Sequence, residues 1–286
     1  MWYKMRKSVE ILNISPTELR KMQMIMLEIL IEFDRVCRKH KINYSLGGGT
    51  MLGAVRHKGF IPWDGDADVF MLRDEYDKFR KICEHELDDN RFFLQDYKSD
   101  KYYRWGYARI LRNETELVRA GYEHMKSRNG VFIDVLVFDN VPDNYFARRI
   151  HIFLCYCLRK TLWSEAGKKV HPYRMLRMFY QLLSLIPKNF AFYIRNIILK
   201  KCNSKDTKLV RHMTSVHINK QKYGIPRKYF DELIDYSFEG YSFLGFKEYD
   251  SYLKSAYGDY MTLPDEADRN SHVPCSKYSL VEPNLN

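Results

Sequence analysis

From Thr17 to His40 apolar residues recur at intervals of three and four, at Leu19, Met22, Met26, Leu30, Phe33 and Cys37. That spacing places them on one face of a helix, and Ser15-Pro16 just ahead is a helix start. INYSLGGGT then reads as a short strand running into glycines, and TMLGAVRHKG as a helical turn ending at Gly59. The pattern predicts a further helix over Arg73 to Leu87 and strands at RFFLQDY, YYRWGYARIL and VFIDVLVFD. Residues 1–140 therefore mix helix and strand in the α/β manner.

Beyond this the pattern changes. FARRIHIFLCYCLRKTLW and MLRMFYQLLSLIPKNFAFYIRNIILKK are helical, apolar on one side and basic at their ends. Neither contains the ~18–20 uninterrupted apolar residues that a membrane-crossing helix needs, and Pro187-Lys188-Asn189 divides the second. Such helices can lie on a membrane without crossing it. There is no internal repeat and no low-complexity tract. Residues 229–286 are rich in aromatics, as in FEGYSF and YGDYMTLP.

Charge sharpens this division. The chain of 286 residues has a net charge of +11, but residues 141–230 alone hold nineteen Lys and Arg against Asp143, Glu165 and Asp206. A block at +16 expects an acidic partner: nucleic acid, anionic lipid or a phosphorylated glycan. With 45% hydrophobic and 15% aromatic residues, there is enough apolar material for one large or two small packed domains. Six scattered cysteines without a C-x-x-C pair point to reduced thiols rather than disulfides or structural zinc. The first residues, MWYKMRKSVEILNIS, have no apolar h-region or small-residue cleavage site, so a cytoplasmic protein is expected.

The candidate chemistry lies in GFIPWDGDADVF. In an extended segment Asp64, Asp66 and Asp68 share one face while Gly65, Ala67 and Val69 take the other. Two carboxylates ~6.5 Å apart repel by roughly 2.5 kcal/mol at an effective dielectric near 20, so a neutralising partner is expected. Arg56, Lys58 and Arg73 are the nearest cations in sequence but lie outside the cluster. A divalent ion is the usual answer for convergent oxygen ligands. A solvated acidic turn is the bland alternative, which the flanking apolar residues argue against. A calcium loop is another: Asp64, Asp66, Asp68 and Glu75 fall at positions 1, 3, 5 and 12 of an EF-hand, but its glycine position holds Val69.

Two further features fit a nucleotide-handling site. Gly47-Gly48-Gly49-Thr50 offers backbone N–H groups at a helix start, where they can hold a phosphate. Asp134 stands alone in VFIDVLVF, an apolar strand in which an unpaired charge would be very costly. A metal shared with Asp66 and Asp68 would account for it. Glycine turn, D-x-D on a strand and a lone Asp on a later strand make the layout of the nucleotidyltransferase superfamily.

At greater length, CRKHKINYSLGGGTMLGAVRHKGFIPWDGDADV closely resembles the signature region of LicD-type phosphotransferases, bacterial phosphocholine transferases related to fukutin-type enzymes. FIDVLVFDNVP and FKEYDSYLKSAYGDYMTLP resemble later motifs of that family, so the likeness runs from about Leu19 to His272. One departure is Gly65, where the family commonly has a third consecutive Asp. If residue 65 faces away from the three carboxylates, the metal site survives.

The resemblance implies a nucleotidyltransferase-like mixed sheet with helices (α/β, or α+β) and a basic helical insertion. The divisions would be a catalytic core over 1–140, the basic amphipathic region over 141–228, and a segment over 229–286 returning to the catalytic face. Asp66 and Asp68 would bind Mg2+, with Mn2+ as a substitute, and Asp134 would complete the site and accept a proton from the acceptor hydroxyl. Gly48, Gly49 and Thr50 would cradle a diphosphate, Asp64 would contact substrate, and Arg56 and His57 would neutralise leaving-group charge. Arg109 matches a basic family position, and Tyr257, Gly258 and Tyr260 match the C-terminal motif. The implied reaction takes phosphocholine from CDP-choline, or the substituted phosphate of another CDP-alcohol, to a hydroxyl of a cell-surface glycan or its lipid-linked precursor, releasing CMP. Peripheral contact with the inner face of an anionic plasma membrane is expected, and no nucleic acid. Two alternatives stay open: a nucleotidyltransferase using a nucleoside triphosphate and releasing pyrophosphate, and a non-enzymatic polyanion binder.

Overall fold

The computed structural model describes residues 11–213, 223–269 and 274–285. Helix α1 (Pro16–Lys39) starts where the sequence predicts, because Ser15 and Glu18 form a reciprocal capping box and Pro16 occupies the first turn. Its apolar face, including Met22, Ile25, Ile29 and Phe33, is fully buried in the main core.

That core sits on a seven-stranded sheet. Strands β1 (Ser45–Leu46), β2 (Asp68–Leu72), β3 (Phe92–Gln95), β4 (Ala108–Arg112) and β6 (Phe132–Val141) run in the order β1-β2-β6-β4-β3. β7 (Leu209–His212) extends the sheet along the far end of β6, and β8 (Ile225–Pro226) pairs with β7. Among the described strands of this sheet only β2 and β6 pair in parallel. The crossover between them places Asp68 directly opposite Asp134, and the antiparallel β4 places Arg109 opposite Asp134 on the other edge. One cross-strand row therefore reads Asp68, Asp134, Arg109.

Helix α2 (Gly48–Arg56) precedes β2, and α3 (Arg73–Glu86) follows it. Strand character in YYRWGYARIL is shorter than the pattern predicts and begins only at Ala108. Residues 102–107 run as irregular backbone that ends in a bend, and this segment contributes Arg104, Trp105 and Tyr107 to a cavity wall instead of a ladder. β5 (Glu116–Arg119) pairs with the C-terminal β11 (Cys275–Ser279), and β9 (Leu233–Phe238) with β10 (Tyr241–Phe246) forms a hairpin leading into α7 (Tyr249–Tyr257).

The basic region forms α4 (Tyr145–Val170), α5 (Arg174–Leu183) and α6 (Lys188–Cys202), with Pro187 ending the link between the last two. A small second core, with Cys155, Leu158, Phe192 and Leu199, joins α4 to α6. No helix among the described residues is long and apolar enough to cross a membrane.

Two histidines at the junction of this region with the sheet are held neutral. Burial pushes both His151 and His212 down to about 4, and the Nδ1 of His212 faces the Val137 carbonyl at 3.1 Å. A folded value below the ~6.5 of an unfolded histidine means that the stabilisation is present above pH ~6.5 and is lost as pH falls toward 4. Each group is worth about 3 kcal/mol across that window. The urea midpoint should therefore begin to fall below pH ~6.5, above the range in which ordinary carboxylates titrate. A midpoint unchanged between pH ~6.5 and ~5 would contradict this assignment.

Candidate active site

The start of α2 and the start of β2 are tied to each other. The N–H of Gly47 donates to the Asp68 carbonyl at 2.9 Å, and the N–H of Asp68 donates to Thr50 Oγ1 at 2.8 Å. Gly48 has φ +50°, and a Cβ there would stand 2.7 Å from Asp68 Oδ2. At Gly49 a Cβ would stand 2.5 Å from Asp64 Oδ2. In this structure the glycine turn thus makes room for two carboxylates. The N–H of Gly48 donates to the Tyr252 hydroxyl at 3.0 Å, so α7 closes over the turn.

Asp64, Asp66 and Asp68 all line one cavity of about 1060 Å3, while Gly65 does not. Gly65 is buried, and its N–H donates to Asp64 Oδ1 at 3.1 Å. Ala67 and Val69 are fully buried on the opposite side, so the alternation read from sequence holds although strand pairing starts only at Asp68. Burial raises the Asp64 carboxyl above its usual value. Asp68 is pushed well above the carboxylate range by burial and then by the charges of Asp66, Asp134 and Asp64.

The partner missing from the sequence pattern is Arg109. Its Nε donates to Asp134 Oδ1 at 2.8 Å, its Nη2 donates to the Tyr107 hydroxyl at 3.1 Å, and its guanidinium lies 3.7 Å from the Phe132 ring centre. Burial works against its charge, but Tyr107 and Asp134 more than offset that and hold it protonated. Arg73 instead forms a two-point ion pair with buried Asp139. Asp134 is thus engaged by Arg109, and no three Asp, Glu, His or Cys side chains among the described residues converge closely enough to hold one metal ion.

Arg56 lines the cavity, with Nη1 donating to the Tyr260 carbonyl at 2.8 Å. His57 caps α2 beside Trp63 and is not part of the lining; burial, then Arg56, lowers its pKa. Tyr257 and Tyr260 of the C-terminal motif both reach the cavity. The wall contributed by β5, α4 and the bends before β4 is basic and aromatic: Arg104, Arg119, Arg159 and Lys160 stand among Trp105, Tyr122 and Trp163. None of these seven was singled out as a site residue from sequence. In the sequence Arg159 and Lys160 are simply part of the basic end of FARRIHIFLCYCLRKTLW, and only the packing of α4 brings them to the cavity.

A cavity with clustered carboxylates at the start of one strand of a parallel pair, a glycine turn beside them and cations in its lining fits a nucleotidyltransferase-type transferase. Residues 41–165 match the family model described as LicD/FKTN/FKRP, nucleotidyltransferase domain. Over 274 residues the chain is 34% identical to the lipopolysaccharide cholinephosphotransferase LicD of Haemophilus influenzae, covering 92% of this chain and 98% of that one. Uncharacterized proteins of Rickettsia typhi and Rickettsia prowazekii match shorter stretches, at 32% identity over 62 residues (22% of this chain, 20% of theirs) and 33% over 55 residues (19% and 21%). The chain belongs to the LicD family and is a phosphotransferase.

Proposed function

We propose that this enzyme transfers phosphocholine, or a closely related substituted phosphate, from a CDP-alcohol to a hydroxyl of a cell-surface glycan or its lipid-linked precursor. The observation that carries this reading is the convergence of Asp64, Asp66 and Asp68 on a cavity that Arg56, Arg104, Arg119, Arg159 and Lys160 also line. The similarity to a cholinephosphotransferase over nearly the whole chain supports phosphocholine as the transferred group.

Oxygen donors whose charges repel one another suit Mg2+ or Mn2+: Asp66 and Asp68, which share the cavity, would hold the ion, and Asp134 would join them only on giving up its pairing with Arg109. When bound, the ion neutralises charge on the donor diphosphate. Arg56 and the other cations of the lining position the same diphosphate. Gly49, which lines the cavity, leaves the space beside the Asp64 carboxylate free of a side chain. The acceptor oxygen forms a new bond to the phosphorus that carries the alcohol, the anhydride P–O bond breaks, and its electron pair leaves on CMP. The acceptor proton passes to Asp134, whose charge Arg109 balances until then.

The deciding measurement is incubation of the purified protein with Mg2+, a panel of CDP-alcohols and a glycan acceptor, with CMP as the readout. CMP release that depends on the alcohol carried is the expected result. Pyrophosphate release from a nucleoside triphosphate, with no CMP from any CDP-alcohol, would replace this reading by that of a nucleotidyltransferase.

A further inference from the structure

Helices α4 to α6 leave large apolar side chains in solvent. Sixteen of the twenty-four exposed large apolar side chains among the described residues lie between Tyr145 and Ile197. The extreme case is α5, in which only Tyr180 is buried. Met175, Met178, Phe179 and Leu182 are 79%, 60%, 47% and 68% exposed, and at spacings of i, i+3, i+4 and i+7 they form one helix face. The helix is nonetheless firmly seated. The Tyr180 ring packs against Gly167 of α4, where a Cβ would meet it at 2.8 Å, and its hydroxyl accepts a 2.8 Å hydrogen bond from Lys160. A continuous apolar face held out to solvent by a well-anchored helix is an interaction surface.

Charge decides what covers it. Neither α5 nor α6 contains an acidic residue, and the whole basic region has three acids among nineteen cations. Arg149, Lys169 and Arg174 are exposed beside the apolar residues. A second copy of the chain would bring the same cations face to face and be repelled. An anionic lipid surface accepts both features: headgroups meet the cations, and the acyl boundary takes the Met, Phe and Leu side chains. We propose that α5, flanked by the exposed sides of α4 and α6, docks the protein peripherally on an anionic lipid bilayer. α4 links this surface to the chemistry, since it anchors α5 and also lines the cavity with Arg159, Lys160, Leu162 and Trp163. The docking surface stands apart from the choice of donor, because attachment is read without turnover.

The test is flotation of the full chain with vesicles of phosphatidylglycerol and phosphatidylethanolamine, and separately with phosphatidylcholine vesicles. At ~0.1 M salt the protein should float with the anionic vesicles only; at ~1 M, where the screening length falls from ~10 to ~3 Å, it should be released. The double variant Phe179→Glu/Leu182→Glu, at exposed positions, should keep its melting temperature and its turnover with a soluble acceptor while its partitioning falls at least tenfold. Wild-type protein that stays unbound with anionic vesicles would overturn the proposal. So would a variant that floats as well as wild type, or a wild-type dimer in lipid-free solution that this variant converts to monomer, which would make the face a self-association surface.

Discussion

Asp68→Asn should lower turnover by at least ~10³-fold while leaving the metal-free protein as stable as the parent or more so. The two effects have one origin. Asp68 begins β2 directly opposite Asp134 and shares the cavity with Asp64 and Asp66, so its ionised form is opposed by burial and by three neighbouring charges. Its folded pKa therefore lies above the unfolded value. A group raised in this way stabilises the fold while protonated, and that contribution is lost as pH rises through the folded value. At neutral pH without metal the carboxylate is a net cost, which the isosteric amide removes. Thermal melts with and without Mg2+, alongside CMP release, measure both halves. An Asp68→Asn enzyme of near-normal activity would end the assignment of this residue.

Gly48→Ala should lower turnover by ~10²-fold, the penalty typical of a catalytic group displaced by about an ångström. At φ +50° an L-residue is strained by roughly 1–2 kcal/mol, and the added methyl would sit 2.7 Å from Asp68 Oδ2, so the carboxylate must move. Gly240, in the turn of the β9–β10 hairpin, separates strain from collision. It has φ +83° and nothing within 4 Å of where a methyl would stand, so Gly240→Ala should lose similar stability with turnover unchanged. Equal activity in the two variants would show that Gly48 serves the backbone alone.

Local patterns carried much of this molecule. The three-and-four spacing along α1, the helix break at Pro187 and the shared face of Asp64, Asp66 and Asp68 depend on neighbours within a few residues, and each is visible in the structure. The partner of Asp134 was not legible, because Arg109 meets it only through the register of β4 on β6, 25 residues apart in the chain. The basic cavity wall was hidden for a similar reason. Periodicity shows that α4 has a face but not what that face lies against, so Arg159 and Lys160 gave no sign of pointing inward. Thr50 and Gly48 look like phosphate ligands in a glycine turn, yet their polar groups meet the Asp68 N–H and the Tyr252 hydroxyl, contacts reaching across 18 and 204 residues.

That last span has a consequence for timing during synthesis. The glycine turn, Asp64 and Asp68 leave the ribosome early, but Tyr252 and Tyr257, which close over them, are made some two hundred residues later. Farther on, the N–H of Asn284 donates to Glu28 in the middle of α1, the buried carboxylate that also pairs with Arg112. The nascent chain thus displays an unfinished acidic pocket and an unsealed first helix while the amphipathic α5 is already exposed. Contacts of such sequence separation form slowly. The enzyme should accordingly gain protease resistance only after residue 284 has emerged, and chaperone demand should peak while the basic helices are being translated.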